Sequence, residues 1–595
     1  MSLKHLRRGS VVATVAVATL AGGTLAGTAT AAPAQDTRPD FTLTLLHAND
    51  LESALLPVTA DDDGTYGGAD RFVELIRRQQ MLALTGPRPE GAAKKRGVVT
   101  VSAGDNFLPG PQLAASEGSG RPIYDATAFN AARFDVSIPG NHDFDLGPDF
   151  FAEWIGDIRP ETAIVSSNLG FQDEPALLAR VADGTIVTSH VVEESGEQIG
   201  FIGLTTPDLP RLTSSRDVTV DPDLAGIANA QAAAYEAAGV DKVVLVSHLQ
   251  DIENEVALAA ELRGVDVIIG GGGHELLADE GDPLVPNGTD VFGSYPLTPT
   301  DADGEVLPVV TTAALYSYVG RLVVSFDAAG EVVTVHDDAS RVIPVAAQGP
   351  DAVPANYGVN RLVVQPVERY VADLAEQVVA TSQVDLNGIR DDVRSRETNL
   401  GNLATDALLA AGRREAATAG VTPPVVALQN GGGIRNAAVI PAGEVTALDT
   451  YTVLPFSNFV GVAPAMPVDT FIAGVERGLS GLPGAAGQFA QAAGYRVTYD
   501  VTQPVGSRIV DLVLDDGTAL VSGGAPTGAL DTISVATIDF LLRGGDGYPF
   551  DGVEFTVLPV TYQEALETYL VEDLGGVVSA TDYPVGGEGR ITPVA

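Results

Sequence analysis

The stretch that decides the fold is VSIPGNHDFD, residues 136–145. It starts with the short apolar run Val136–Ile138, typical of a buried strand, and then turns at Pro-Gly. Four polar side chains follow the turn: Asn141, His142, Asp143 and Asp145. Amides, imidazoles and carboxylates bind metal ions or carry protons. A strand that ends in such side chains indicates a site at the carboxyl edge of an α/β sheet.

The same arrangement recurs along the first half of the chain. Short apolar runs alternate with stretches of helical pattern such as Phe72–Gln80 and Leu224–Ala238. We predict buried strands at Thr42–Leu46, Val98–Val101, Val136–Ile138, Ile164–Ser166, Ile199–Leu204, Val243–Val246 and Val265–Ile269. The further candidate ligands behind these strands are His47, Asp50, Glu52, Asp105, His248 and His274. A single histidine at a strand end is usually structural, but so many polar strand ends together predict a metal site.

A length of 595 residues is too great for one hydrophobic core, so we expect at least two domains. The sequence around Pro344–Tyr357 is rich in proline and alanine, which is typical of a linker. We predict a first domain at 40–343, a linker at 344–359 and a second α/β domain at 360–595. The second domain is predicted to open with a helix over Asn360–Ala380.

The chain carries 34 Lys and Arg against 78 Asp and Glu, a net charge of −44. This charge repels nucleic acid polymers and anionic membranes, and its simplest meaning is a well-solvated surface. An anionic substrate would need a local cluster of cations, for which a bound metal pair is the obvious candidate. The absence of cysteine excludes a thiol nucleophile, a zinc–thiolate site and disulfides.

Residues 1–34 have the pattern of a secretory signal peptide. Lys4, Arg7 and Arg8 precede the apolar run Val11–Leu25, and Ala29-Thr30-Ala31 offers a cleavage site. An uncleaved anchor is the alternative, although the run is short and rich in alanine and glycine. No second run of membrane-spanning length follows, so we expect a secreted, extracytoplasmic protein without a membrane anchor in its mature chain.

Blocks in both halves of the chain resemble one known family. GDN (104–106), GNHD (140–143) and GH (273–274) resemble the signature of calcineurin-like metallophosphoesterases. HAND (47–50), SAGDNF (102–107) and GNHDFDLG (140–147) are similar to the 5′-nucleotidase branch. TNLGNL (398–403), QNGGGIR (429–435), LPFSN (454–458) and GGDGYP (544–549) resemble the marked blocks of its second domain. The resemblance implies an α/β protein with an N-terminal metallophosphoesterase β-sandwich flanked by helices and a separate C-terminal α/β substrate-binding domain.

The resemblance also implies roles for the polar strand ends. Asp105 would bridge two divalent metal ions, of manganese, magnesium, calcium or zinc, which can clamp a phosphate and activate water. Asp50 would bind the first ion, and the second set would be completed by Asn141, His248 and His274. His142 and Asp145 would form a catalytic dyad, in which His142 stabilises charge on the transferring phosphoryl group.

In the second domain the resemblance implies a nucleotide pocket. Phe456 and Phe540 would sandwich the base. The polar contacts would come from Asn430 and Asn458 to base or ribose, from Asp546 to the ribose hydroxyls, and from Arg394, Arg396 and Arg435 to the phosphate. Gly432, within a run of three glycines, would allow close approach of the backbone. The alternatives are core packing for each Phe and a surface ion pair for each Arg.

Two positions depart from the family's pattern. The first block usually reads Asp-x-His and is Asp50-Leu51-Glu52 here, while the last usually reads His-x-His or His-x-Gln and is His274-Glu275-Leu276 here. Both changes affect the first ion, where Glu52 would supply a carboxylate in place of an imidazole and Leu276 supplies no ligand. Oxygen donors suit hard ions. We therefore predict a first site that prefers Mg²⁺, Mn²⁺ or Ca²⁺ and exchanges its ion readily, beside a tightly held second ion.

The favoured function is an extracytoplasmic phosphohydrolase that releases phosphate from nucleoside 5′-monophosphates, with a small-molecule nucleotide as its partner. One alternative is a phosphodiesterase acting on cyclic nucleotides, nucleotide sugars or nucleic acid ends, because the fold alone does not define the substrate. Another is a nucleotide-binding protein with a decayed first metal site, although such a protein would not need the His142–Asp145 pair. Monomer and homodimer are equally compatible with the sequence.

Overall fold

Two sheets packed face to face form the first half of the protein. The structure is a computed structural model that describes residues 38–60, 64–116, 122–286, 288–456 and 458–594. The larger sheet pairs, in order, Val332–Val335, Tyr318–Phe326, Phe41–Ala48, Lys95–Ser102, Val136–Ser137, Ala163–Val165 and Ile186–Val187, with Arg341–Pro344 also paired to Tyr318–Phe326. The smaller sheet pairs Val309–Val310, Val267–Ile269, Val243–His248, Glu197–Thr205 and His190–Glu194. Buried side chains from both sheets, among them Leu43, Val101, Phe201 and Val246, form the core between them.

The central strands of both sheets run parallel to their neighbours, so their carboxyl ends meet at one edge of each sheet. Strands are present at all the predicted runs, with boundaries that differ by a few residues. This half is therefore the predicted α/β sandwich. The predicted signal peptide lies outside the described residues. Within the described ranges, no helix is long and apolar enough to cross a bilayer.

Helices cover the outer faces of both sheets. They are Ala69–Thr85, Pro111–Ala114, Tyr124–Ala132, Gly147–Asp157, Pro175–Asp183, Leu209–Leu212, Leu224–Ala238 and Ile252–Ala259. Phe72, Phe129 and Trp154 pack them on the larger sheet, while Ala228 and Leu258 pack them on the smaller one. Three short strand pairs lie outside the sandwich: Val58–Ala60 with Gly64–Tyr66, Leu169–Gly170 with Thr219–Val220, and Leu276–Leu277 with Val291–Gly293.

The second half has its own sheets, and no described strand in it pairs with a strand of the first half. Its main sheet pairs Ala490–Ala493, Val426–Asn430, Thr532–Ile538, Phe459–Pro467 and Thr556–Thr561. A second five-stranded sheet pairs Ala525–Pro526, Ala519–Ser522, Ile509–Leu514, Tyr495–Tyr499 and Ile591–Pro593. A three-stranded sheet pairs Gly443–Thr446, Val378–Ser382 and Val577–Val578. A two-stranded sheet pairs Leu386–Asn387 with Val439–Ile440. The helices are Arg390–Val393, Asn399–Ala419, Ala447–Val453, Val468–Leu479, Asp539–Leu542 and Tyr562–Thr568.

One helix between these two groups of sheets belongs to both cores. A π-helical turn at Asn360–Val364 continues into the α-helix Gln365–Glu376. Val363 and Val367 are buried in a core of the first half, whereas Leu374 is buried in the core of the second. The predicted extension of this helix to Ala380 is wrong. The chain enters the strand Val378–Ser382 instead, because its β-branched residues favour pairing with Gly443–Thr446.

Candidate active site

Loops at the carboxyl ends of the central strands bring the candidate ligands together. Asp50 and Asp105 follow two neighbouring parallel strands, and His248 ends a strand of the facing sheet. The first two loops bond directly to each other, since the amide of Asp50 donates to the Gly104 carbonyl at 3.0 Å and the amide of Glu52 donates to the Asp105 carbonyl at 3.1 Å. The strand order therefore fixes the spacing of these side chains.

Six of the polar side chains form three overlapping groups. Within each group the ligand atoms lie within 4.8 Å of one another: Asp50, Asp105 and His248; Asp50, Glu52 and His274; and Glu52, Asp105 and His142. His248 Nε2 lies 3.1 Å from Asp105 Oδ2 and 3.0 Å from the side-chain oxygen of Asn141. The structure thus brings all six predicted metal ligands into one cluster, which also touches His142.

The cluster fits a divalent cation. Asp50 Oδ1 is buried and has no hydrogen-bond partner among the described residues, although Oδ2 accepts two hydrogen bonds. His248 Nδ1 donates to the Ala103 carbonyl at 2.7 Å, so Nε2 faces the carboxylates. Burial raises the pKa of Asp50 to about 6. Burial opposes the charged form of His248, but the Asp105 and Asp50 carboxylates raise its pKa to about 10. A bound cation would neutralise this negative potential.

The backbone is strained at the same positions. Four of the predicted ligands have positive φ: Asp50 at 52°, Glu52 at 49°, Asp105 at 52° and His274 at 63°. A non-glycine residue in this region costs about 1–3 kcal/mol, and such residues cluster at functional sites because the surrounding structure must hold them there. The positive φ angles are therefore a second, independent indication that these four residues form a functional site.

His274 has partners other than those predicted. The resemblance places it beside Asn141 and His248, yet its Nε2 lies 2.8 Å from Glu52 Oε1 and 3.7 Å from Asp50 Oδ1. Burial lowers the pKa of His274, but the hydrogen bond to Glu52 and the nearby Asp50 charge raise it to about 9. The carboxylate at position 52 therefore attracts the imidazole towards the first set.

The other two residues of the altered blocks face away from the cluster. Leu276 is fully buried in the core between the sheets and provides no ligand atom. The carboxylate of Glu275 accepts a hydrogen bond of 3.4 Å from the amide of Ile252, at the start of a neighbouring helix. Neither side chain replaces the missing ligand of the first set.

The predicted dyad is well ordered by hydrogen bonds. His142 Nδ1 lies 2.7 Å from Asp145 Oδ2, and the amide of His142 donates to Asp105 Oδ1 at 2.7 Å. Thr213 Oγ1 donates to the other oxygen of Asp145 at 2.8 Å. Burial opposes protonation of His142, but the Asp145 and Asp105 carboxylates hold its pKa well above the ordinary value. The imidazole is thus oriented to donate a hydrogen bond from Nε2.

A cavity of about 400 Å³ adjoins the dyad, lined from the first half by Asn141, His142 and Asp145. The second half contributes most of the residues predicted to bind substrate: Arg394, Asn430, Gly432, Arg435, Phe456, Asn458, Phe540 and Asp546. Phe540 lies so close to Gly545 that a Cβ there would stand 2.5 Å from the ring. Arg396 does not line the cavity, because its guanidinium pairs with Asp392 at 2.5 Å on the surface.

The cavity presents cations and a ring to a ligand. The Arg435 guanidinium lies 4.9 Å over the Phe456 ring. Arg394 is 8% exposed, and its Nε has no hydrogen-bond partner among the described residues. Burial, followed by the charges of Arg390 and Arg435, lowers the pKa of Arg394. Asn430 Nδ2 donates to Asp546 Oδ2 at 2.6 Å, which fixes both side chains. Such a wall suits a planar, anionic ligand.

Sequence reasoning missed three residues here. Gln250 Nε2 donates to Asn141 Oδ1 at 2.5 Å, and its position two residues after His248 at a strand end was a usable signal. Thr213 and Arg543 also line the cavity, but no motif or strand end marks them.

His47, a candidate ligand in the sequence, is a core residue in the structure. Its Nε2 lies 2.7 Å from the Tyr295 hydroxyl, and burial lowers its pKa to about 3.

Comparisons with known proteins point to one family. Residues 378–551 match the family model "5′-nucleotidase, C-terminal domain". The solved structure of a 5′-nucleotidase precursor from Thermus thermophilus is 31% identical, with a TM-score of 0.64 over 93% of this chain and 99% of its own. Snake venom 5′-nucleotidase from Naja atra is 28% identical over 85% of this chain and 91% of its own length. 5′-Nucleotidase from Homo sapiens is 26% identical over 85% of this chain and 84% of its own length.

The fold and the site define a phosphoester hydrolase with a candidate divalent-metal cluster. The chain belongs to the 5′-nucleotidase family. Its relatives are 5′-nucleotidases and related nucleotide phosphoesterases.

Proposed function

We propose that the protein releases phosphate from nucleoside 5′-monophosphates, outside the cytoplasm, with two divalent metal ions. One observation carries the proposal: a single cavity is lined both by the His142–Asp145 dyad and by the rings and guanidinium groups of the second half. A nucleotide has the two matching ends, a planar base and an anionic phosphate. The export signal pattern at residues 1–34 and the similarity to a snake venom 5′-nucleotidase support the location.

The residues that would hold the ions are Asp50, Glu52, Asp105, Asn141, His248 and His274, and Asp105 would contribute to both sites. Bound there, the ions would supply positive charge for the phosphate and activate the attacking water. His142, oriented by Asp145, donates a hydrogen bond to a phosphate oxygen and stabilises the charge that develops on it. Arg394 and Arg435 attract the phosphate side of the nucleotide, and Phe456 and Phe540 bind the base.

Phosphate release from AMP by the purified protein, measured with Mn²⁺, Mg²⁺ or Zn²⁺ and with EDTA, tests the proposal. We expect hydrolysis that EDTA abolishes. Faster turnover of bis(p-nitrophenyl) phosphate than of AMP would favour a diesterase instead. Tight binding of AMP without turnover under any metal would favour a nucleotide-binding protein.

The aromatic rings provide the second test. Phe456→Ala and Phe540→Ala should each lower kcat/KM for AMP by about 5- to 150-fold, because stacking contributes about 1–3 kcal/mol per base. The loss for glycerol 2-phosphate should be much smaller, since this ester has neither a base nor an aromatic ring. Phe292→Ala, which changes a half-exposed ring far along the chain from this pocket, is the matched control and should match the unmodified protein. Equal losses on both substrates would assign the two rings to the core.

The altered first site should make the two ions unequal. After dialysis we expect one retained equivalent of metal, with activity restored by added Mn²⁺ or Mg²⁺, because Glu52 and Asp50 offer hard oxygen donors. Glu52→His should raise retention of Zn²⁺ towards two equivalents, whereas Glu52→Gln should not. Metal content measured by atomic emission decides this. Two equivalents of tightly held zinc in the unmodified protein would contradict the argument.

A further inference from the structure

Two adjacent hydroxyl groups link the dyad to the second half of the chain. Thr213 Oγ1 donates to Asp145 Oδ1 at 2.8 Å, and Ser214 Oγ donates to Asp539 Oδ2 at 3.1 Å. Asp539 directly precedes Phe540 at the start of the helix Asp539–Leu542. Thr213 therefore bonds to the dyad, and the next residue, Ser214, bonds to Asp539, the neighbour of a proposed base-binding ring.

Both ends of this link are held firmly. Thr213 is 5% exposed, and its amide donates to the Leu209 carbonyl at 3.2 Å, at the end of a short helix whose first residue is fully buried. Asp539 is 4% exposed, and its other oxygen accepts from the amide of Phe459 at 3.0 Å. Because neither end is free to adjust alone, a shift of Asp539 is transmitted through Ser214 to Thr213.

Both carboxylate oxygens of Asp145 have partners in this region. One carboxylate oxygen accepts from Thr213, and the other faces His142 Nδ1 at 2.7 Å. A displacement of Thr213 therefore either costs a hydrogen bond to Asp145 or turns the carboxylate, and with it the imidazole. A continuous series of contacts therefore connects the second half to the dyad. It runs from Asp539 through Ser214, Thr213 and Asp145 to His142.

We propose that Thr213 and Ser214 are positioning residues that couple the seating of the second half around a nucleotide to the orientation of the His142–Asp145 dyad. This inference rests on the proposed function. A nucleotide in contact with Phe540 holds Asp539 against Ser214, and this contact fixes Thr213 on Asp145. A phosphate ester without a base or a ring cannot stack on Phe540, so its hydrolysis depends on Thr213 far more than on Ser214.

Steady-state kinetics on AMP and on glycerol 2-phosphate, which has no ring, separate the two roles. Thr213→Val should lower kcat about tenfold on both substrates with little change in KM, because it removes the partner that orients the dyad. Ser214→Ala should lower kcat for AMP about 3- to 10-fold more than kcat for glycerol 2-phosphate. Thr213→Ser and Ser214→Thr retain the hydroxyls and should recover most of each loss.

Ser215→Ala is the matched control, because the Ser215 hydroxyl is buried with no hydrogen-bond partner among the described residues. It should behave as the unmodified protein on both substrates, and all variants should keep the same melting temperature. A Ser214→Ala protein that loses AMP and glycerol 2-phosphate turnover equally, or that matches Ser215→Ala, would overturn the coupling. Failure of the proposed function is distinct, since it shows in the unmodified protein as absent phosphate release from AMP.

Discussion

Asp105→Ala should lower phosphate release from AMP by at least about 10³-fold at every metal concentration, because the metal charge that we propose it helps to hold would contribute several kcal/mol to the transition state. The Asp105 carboxylate belongs to two of the three ligand groups. It also accepts the amide hydrogen of His142, at 2.7 Å. Its loss therefore removes a carboxylate common to two of these groups and also a hydrogen-bond partner of His142. Initial rates over a wide range of Mn²⁺ concentration measure the effect.

Asp149→Ala is the matched control for this change. Its carboxylate pairs with Arg216 at 2.8 Å and is 66% exposed, so its removal should alter the rate by less than about twofold. An Asp105→Ala protein that still hydrolyses AMP in EDTA would refute a metal-dependent mechanism. Recovery of full activity at high Mn²⁺ would instead show that Asp105 assists binding of the ion without being required for the reaction.

His142→Ala should lower kcat for AMP by about 10²- to 10⁴-fold, the range for a positioned acid–base or hydrogen-bonding group. The imidazole is held at Nδ1 by Asp145 and faces the cavity, so the loss should appear in kcat on small and large substrates alike. Asp145→Asn should give a smaller loss, because the amide still contacts the ring. His190→Ala changes a histidine at the far edge of the smaller sheet and should leave kcat unchanged.

Metal content distinguishes the dyad role of His142 from that of a ligand. The side chain lies in one group with Glu52 and Asp105, so it is within reach of a bound ion as well as of a phosphate. We expect His142→Ala to retain as much metal after dialysis as the unmodified protein. Loss of metal in parallel with activity would make His142 a ligand and would contradict its assignment to the phosphoryl group.

The sequence predicts the sheets and the cluster well because both depend on local pattern. Apolar runs of four to six residues define strands, and the polar residue after a parallel strand must lie at the carboxyl edge whatever the loops do. This is why Asp50, Asp105 and His248 meet as expected. The same reasoning passed over Gln250, although it follows the strand that ends at His248.

The remaining differences come from contacts between residues far apart in the chain. His274 turns to Glu52 because of an ion pair across 222 residues, and no local pattern reveals such a pair. Thr213 stands eight residues beyond the end of its strand, so its contact with Asp145 depends on the path of the loop between them. Arg396 lies two residues before a block that resembles the family, TNLGNL (398–403), yet Asp392 four residues earlier pairs with its guanidinium at the surface.

The helix shared by the two cores has a practical consequence for anyone who wishes to express either half alone. A fragment that begins at residue 360 would carry Val363 and Val367 into water, although these valines are fully buried against the first half in the whole chain. A fragment that ends at 343 would lack the same side chains and leave its own core open. Exposed apolar surface of this kind promotes aggregation. A first-half fragment should therefore extend to about residue 376, with its last turn made polar at Leu374, where the helix enters the other core.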